Sequence, residues 1–141
     1  MTIVSKPPNQ RYDSGWDRIF GRRTGINIYL AGPMRGIKDF NFPAFYKASQ
    51  TLRNSGNVVF NPAERDVEEH GEEISKSPTG DLKDAEKKGF NLRTALAADL
   101  EWICLRAEAI CLLPGWENSK GACAERATAL ALGLEIIHYV D

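Results

Sequence analysis

Two acidic residues stand on helix sides whose other residues are apolar. Asp99 shares its side of a predicted helix with Leu96 and Leu100, and Glu125 shares its side with Ala122. A carboxylate that faces a core loses its hydration unless it is paired or used, so both groups are candidates for nucleophilic or acid–base chemistry. The alternative is that both lie at helix edges and reach water.

A second candidate site is the turn at 118–122, which follows an apolar run and precedes a predicted helix. Backbone N–H groups at a helix start bind anions, and here Ser119 adds a hydroxyl while Gly121 permits close approach. Arg35, which follows Gly32 after the first apolar run, presents a fork of donors suited to a phosphate. The alternatives are that Ser119 is simply a helix cap and that Arg35 is a solvated surface residue.

Motifs for metals and organic cofactors are absent from the sequence. It contains neither the glycine-rich P-loop pattern nor the G-x-G-x-x-G dinucleotide pattern. His70 and His138 are far apart and lack the spacing of metal ligands. The three cysteines form no C-x-x-C pair and lie in apolar stretches, which argues against a disulfide framework or a zinc site. We therefore predict no metal and no cofactor.

Short β-prone runs alternate with helical patterns along the chain. The predicted strands are 26–31, 58–60, 109–113 and 134–139, and the predicted helices are 43–54, 92–107 and 120–132. This alternation predicts an α/β fold with a parallel sheet covered on both faces. Ligands of such sheets bind beyond the carboxyl ends of the strands. Trp116 lies in a loop at that edge, where it can stack on a base or anchor the loop.

Two segments depart from this alternation. Residues 63–90 are charged and interrupted by glycine and proline, which predicts a long loop or a partly helical lid with a functional or mobile role. Residues 1–24 form a polar arm that can dock through Trp16, Ile19 and Phe20, and we assign it no chemistry. Residues 25–141 form the single predicted domain.

The composition is that of an ordinary globular protein, with 43% hydrophobic and 26% charged residues. A net charge of -1 provides no positive field for a nucleic-acid polymer or an anionic membrane. No apolar run approaches the ~20 residues that cross a bilayer, and none at the start has signal-peptide length. We therefore expect a cytoplasmic protein whose partners are small molecules.

Three motifs, in this order, resemble the nucleoside 2-deoxyribosyltransferase superfamily, and especially its branch of 2′-deoxynucleoside 5′-monophosphate N-glycosidases. They are IYLAGPMRG at 28–36, DLEWI at 99–103 and SKGACAE at 119–125. The sequence of the last motif, and the LPGWE sequence before it, are similar to sequences of an uncharacterised phage and bacterial subgroup. The resemblance implies a flavodoxin-like three-layer sandwich with a parallel sheet of four to five strands.

The resemblance also implies roles for individual residues. Glu125 corresponds to the nucleophile, Asp99 to the aspartate that assists the leaving base, and Tyr29 to the tyrosine beside the nucleophile. Ser119 corresponds to a serine that holds the 5′-phosphate, and Arg35 to a substrate-contacting arginine. The predicted substrate-binding set is Gly32, Met34, Arg35, Trp116, Ser119 and Gly121.

The function that these expectations favour is hydrolysis of the base–sugar bond of a (deoxy)nucleoside 5′-monophosphate through a glutamyl–sugar intermediate. By the same resemblance we expect a homodimer or higher homo-oligomer. The alternatives are a 2-deoxyribosyltransferase that exchanges bases and a non-catalytic nucleotide-binding or sensing module. A receiver-like domain is a further alternative, but it predicts acidic residues where this chain has Gly32 to Arg35.

Overall fold

A computed structural model of the chain describes residues 24–141, so the predicted arm with Trp16, Ile19 and Phe20 lies outside the described residues. The strands are β1 (Asn27–Ala31), β2 (Val58–Phe60), β3 (Ala109–Leu112) and β4 (Glu135–His138). The helices are α1 (Phe42–Asn54), α2 (Pro62–His70), α3 (Leu82–Glu86), α4 (Leu92–Leu105) and α5 (Lys120–Ala131). Short 3-10 turns span Lys38–Asn41, Glu72–Ser75 and Trp116–Asn118.

The four strands form one parallel sheet in the order β2-β1-β3-β4. Alternate residues of β1 enter two separate cores, because successive side chains of a strand point to opposite faces. Leu30 packs in a core with Phe45 of α1, whereas Tyr29 packs in a core with Ile103 of α4 and Ala129 of α5. Helices therefore cover both faces, and the predicted α/β fold with a parallel sheet is confirmed, consistent with a flavodoxin-like three-layer arrangement.

Helices α2 and α5 start at residues whose side chains satisfy a first-turn N–H group. The Asn61 side chain accepts from Ala63 N at 2.9 Å, and Pro62 follows at a position that needs no N–H donor. The Ser119 hydroxyl accepts from Ala122 N at 3.1 Å, so its predicted capping role is confirmed. α2 thus begins two residues after the end of β2, and α5 follows β3 after the 3-10 turn Trp116–Asn118.

The segment 63–90 is largely helical, so the prediction of a long loop is wrong and the partly helical alternative holds. It contains most of α2, the 3-10 turn Glu72–Ser75 and α3. Its apolar residues are few, but Ala63, Ile74 and Ala85 are all buried in the core that contains Phe45. The segment packs as part of the domain because these side chains are spaced over three short elements.

The loop after β1 has an unusual backbone conformation at 39–41. All three residues have positive φ angles of 52° to 62°, a region that residues other than glycine rarely adopt. Two hydrogen bonds hold this conformation: Asp39 N donates to Ser77 O at 2.7 Å, and Ser77 N donates to Asp39 Oδ1 at 3.2 Å. A side chain at Gly80 would collide with the Ile37 backbone. The loop and the 77–80 turn are therefore locked together.

Candidate active site

A cavity of ≈ 810 Å³, open to solvent, lies at the carboxyl ends of the strands. This is the edge at which parallel α/β sheets bind ligands. Most of the predicted site residues line it, namely Gly32, Met34, Arg35, Asp99, Ser119, Gly121 and Glu125.

Glu125 forms the deepest polar contact of the site with Tyr29, which is not part of the cavity lining. The Tyr29 hydroxyl donates to Glu125 Oε2 at 2.9 Å, and the tyrosine ring stacks on Phe60 with centroids 5.3 Å apart. Tyr29 is 0% exposed and Glu125 7%. Burial and the charge of Asp99 raise the pKa of Glu125 well above its ordinary value, although the Tyr29 hydrogen bond opposes this. β1 and α5 therefore fix the orientation of this carboxyl group.

Asp99 is paired with Arg65, a residue of α2. Arg65 Nη2 lies 3.0 Å from Asp99 Oδ1, and both side chains are almost fully buried. The contact is an ion pair, because Asp99 Oδ1 has no well-directed hydrogen bond within residues 24–141. Burial raises the pKa of Asp99, and the positive charge of Arg65 lowers it.

The second partner of Arg65 is Asp66. Arg65 Nε donates to Asp66 Oδ1 at 3.1 Å, and the guanidinium lies 5.7 Å from the centre of the Phe60 ring. Burial raises the pKa of Asp66 to about 6, against the opposing charge of Arg65. Two buried carboxyl groups, those of Asp66 and Asp99, thus contact one guanidinium in the cavity lining.

After burial, the charge of Asp99 is the largest influence that raises the pKa of Glu125. Two carboxyl groups that oppose each other's ionisation in this way titrate as a pair, so the pair holds one proton between its two titration steps. Glu125 is the more basic partner, because Arg65 stabilises the ionised form of Asp99. Such a pair supplies a nucleophile and an acid once the proton moves to Asp99.

The cavity lining also contains exposed or half-buried donors. Arg35 is exposed, and Ser119 and Gly121 are half-buried at the start of α5. Gly32 has a packing reason for its identity, since a Cβ there would lie 2.7 Å from the Leu113 Cβ. Met34 packs against the core and also lines the cavity.

Trp116 does not join the other predicted site residues around the cavity. Its ring lies 4.9 Å below the guanidinium of Arg126 and 6.3 Å from the His138 ring, and it packs against the core on the α4 and α5 face. This arrangement matches the alternative interpretation of Trp116 as an anchor for its loop. Its stacking on a base stays a prediction without geometric support.

Arg65 and Asp66 are site residues that the sequence did not predict. An available signal was Asn61-Pro62, a helix-start pattern directly after a strand, which places both residues in the second turn of a helix at the ligand edge. The apolar wall of the cavity was also missed, and it includes Phe40, Phe42, Phe45, Ile74, Phe90 and Leu96. Within residues 24–141, no three His, Cys, Asp or Glu side chains group as a metal site would require.

Comparison with known proteins gives one match. The family described as "Domain of unknown function (DUF4406)" matches residues 26–138, which contain all of the cavity residues named above. No curated protein and no solved structure matches the chain. In the described part of the chain, the helices are too short or too polar to cross a membrane.

Proposed function

We propose an enzymatic function for this chain, which belongs to the DUF4406 family. The reaction is hydrolysis of the N-glycosidic bond of a (deoxy)nucleoside 5′-monophosphate. The observation that carries the proposal is the pair of buried, interacting carboxyl groups of Glu125 and Asp99 in the wall of an open cavity. The three motifs that resemble the nucleoside 2-deoxyribosyltransferase superfamily support the same reaction, and we propose that the family is a branch of it.

The mechanism has two displacements, as in retaining glycosidases. The Glu125 carboxylate attacks C1′ of the sugar, the bond from C1′ to the base nitrogen breaks, and its electron pair leaves with the base. Asp99 gives the base its proton. Water then attacks C1′ of the glutamyl ester while Asp99 takes a proton from that water. The bond from C1′ to the Glu125 oxygen breaks, which releases the sugar phosphate and restores the Glu125 carboxylate. The products are the free base and the hydroxylated sugar phosphate.

Tyr29 has a supporting role in this mechanism. Its hydroxyl donates to one Glu125 oxygen at 2.9 Å, which leaves the other oxygen for attack on C1′. Because Tyr29 is fully buried and stacked on Phe60, its position does not depend on substrate. The nucleophile is therefore oriented before substrate binds, which lowers the entropic cost of reaching the reactive geometry.

The two sides of the cavity suit the two ends of a nucleotide. The aromatic and aliphatic wall offers apolar contact to a flat heterocycle. The rim offers the N-terminus of α5, the Ser119 hydroxyl and the Arg35 guanidinium, all of which favour an anion. A 5′-monophosphate uses both, whereas a nucleoside uses only the first.

The test is a chromatographic screen for free base, with purified protein and the common nucleosides and their 5′-monophosphates. Release of base from monophosphates, together with a quenched protein whose mass has increased by one sugar phosphate, supports the proposal. Adding a second, isotopically labelled base separates hydrolysis from base exchange, because a transferase incorporates the label into nucleotide. Tight nucleotide binding without base release would contradict the proposal and favour a sensing module.

A further inference from the structure

The ion pair between Arg65 and Asp99 makes no direct contribution to the two displacements above. We infer, on the basis of the proposed function, that Arg65 is a positioning residue that decides which carboxyl group holds the shared proton. In the free protein Arg65 keeps Asp99 ionised and the proton on Glu125. When substrate binds, that proton passes to Asp99 and then to the departing base, so one transfer produces both the nucleophile and the acid.

The first argument is that Arg65 is held in place without Asp99. Its Nε donates to Asp66 at 3.1 Å, Glu69 lies 3.9 Å from the same nitrogen, and the guanidinium lies over the Phe60 ring. With a side chain only 12% exposed, it has little room to turn toward solvent. Its positive charge is therefore a fixed feature of the site, 3.0 Å from Asp99 Oδ1.

The second argument is that this charge favours one member of the pair. An opposite charge within about 4–6 Å stabilises an ionised carboxyl, and the effect weakens with distance. Arg65 is in contact with Asp99, whereas Glu125 accepts a hydrogen bond from the uncharged Tyr29 hydroxyl. The direction of each pKa agrees, because Arg65 is the first opposing influence on Asp99 and the weakest on Glu125.

Other charged groups around the pair come from every neighbouring element. Besides Asp99 on α4 and Glu125 on α5, the titratable groups are Tyr29 on β1, Arg65, Asp66, Glu69 and His70 on α2, and Arg35 in the loop after β1. Among these described groups Arg65 is the cation in contact with the pair. Removing its charge should therefore raise both titration steps of the pair, since each step creates a buried negative charge.

The chain offers a matched control in Arg53. Arg53 lies on α1, and its guanidinium pairs with Glu64 of α2 at 2.6 and 2.7 Å. This ion pair joins α2 to α1, as the Arg65–Asp99 pair joins α2 to α4. The Arg53–Glu64 pair is partly exposed, with side chains 39% and 34% accessible. If Arg65 only anchors α2, Arg53→Met and Arg65→Met should have similar consequences for the site.

The experiment is an NMR titration of side-chain carboxyl carbons without substrate, assigned with Asp99→Asn, Glu125→Gln and Asp66→Asn. In the wild type, Asp99 should ionise at lower pH than Glu125. Arg65→Met should raise both steps by about 1–3 pH units. Arg65→Lys, which keeps the charge, and Arg53→Met should leave them close to wild type. Both limbs of the pH profile of base release should likewise move to higher pH in Arg65→Met and stay close to wild type in Arg65→Lys and Arg53→Met.

Two outcomes overturn the inference: a wild type in which Glu125 ionises first, or an Arg65→Met titration that matches wild type or Arg53→Met. The wild-type order needs no variant, so the inference is testable even if Arg65→Met fails to fold. The expected titrations without base release from any substrate would refute the proposed function alone. Base release with an unperturbed Arg65→Met titration would refute this inference alone.

Discussion

The two sides of the cavity differ in how their polar groups meet water. On one side Asp99 and Glu125 are buried, and Glu125 accepts a hydrogen bond from Tyr29, which lies behind the lining. On the other, Arg35 is exposed and Ser119 is half-buried at a helix start. Desolvation changes the protonation of the first set, and the second set stays accessible to an incoming anion. We therefore expect changes on the buried side to act on kcat and changes at the rim to act on KM for the phosphate.

Glu125→Gln should give the largest effect, because the amide has a similar shape but is a poor nucleophile. We expect kcat to fall by several orders of magnitude, with an unchanged circular dichroism spectrum. The fold should tolerate the change since the amide carries no charge into the buried site. Wild-type turnover in this variant would remove Glu125 from the nucleophile role.

Asp99→Asn should lower kcat by about 10²–10⁴, the usual contribution of a general acid. The loss should shrink for substrates whose base leaves more easily, since such a base needs less protonation. The variant leaves Arg65 with Asp66 as its remaining short contact, so urea unfolding must accompany the kinetics. An equal loss for all leaving groups would contradict the acid role.

Asp66→Asn tests the buried side through stability. The pKa of Asp66 is raised from 3.8 to about 6, so the folded state favours the protonated form by at most roughly 3 kcal/mol. This contribution is present below about pH 4 and is lost as the pH rises through about 6. The urea midpoint of the wild type should therefore fall more steeply over this range than that of the variant. Parallel pH dependences would mean that Asp66 is not protonated in the folded protein.

Arg35→Ala and Ser119→Ala should give the smallest effect, confined to the phosphate. A hydrogen bond to a charged group is worth about 1.5–3 kcal/mol, so loss of one contact should raise KM for the monophosphate about tenfold or more. The KM for the nucleoside should stay unchanged. Ser119→Ala also removes the helix cap, at a cost of about 1 kcal/mol, which makes Arg35→Ala the cleaner variant. Equal kcat/KM values of the wild type for both substrate forms would sink the phosphate assignment.

The sequence predicted the sheet closely because each strand is a short apolar run between clear breaks. Strand β2 was predicted at its observed bounds, and the other strands to within one residue at each end. The helical period also placed Asp99 and Glu125 on apolar helix sides, and both are buried, which rules out the alternative that they reach water at helix edges. The helix predicted at 120–132 ends one residue earlier, at Ala131, and Leu132 beyond it is 47% exposed.

The Arg65–Asp99 pair was not predictable in the same way. It joins α2 to α4 across 34 positions of sequence, and α2 carries few apolar residues from which to infer its orientation. Local pattern reports which face of an element is buried, but it does not report which element lies opposite. Trp116 illustrates the same limit, because its partners Arg126 and His138 come from α5 and β4.

The lock between residues 39–41 and the 77–80 turn has a consequence for protein engineering. Phe40 in that loop and Leu82 and Ala85 just beyond that turn all line the cavity, so specificity redesign would target both segments. Grafting a foreign segment in place of either one alone would remove the partner that holds three left-handed residues in place. The two segments therefore form one exchangeable cassette, and we expect chimaeras that swap them together to keep their fold more often than those that swap one.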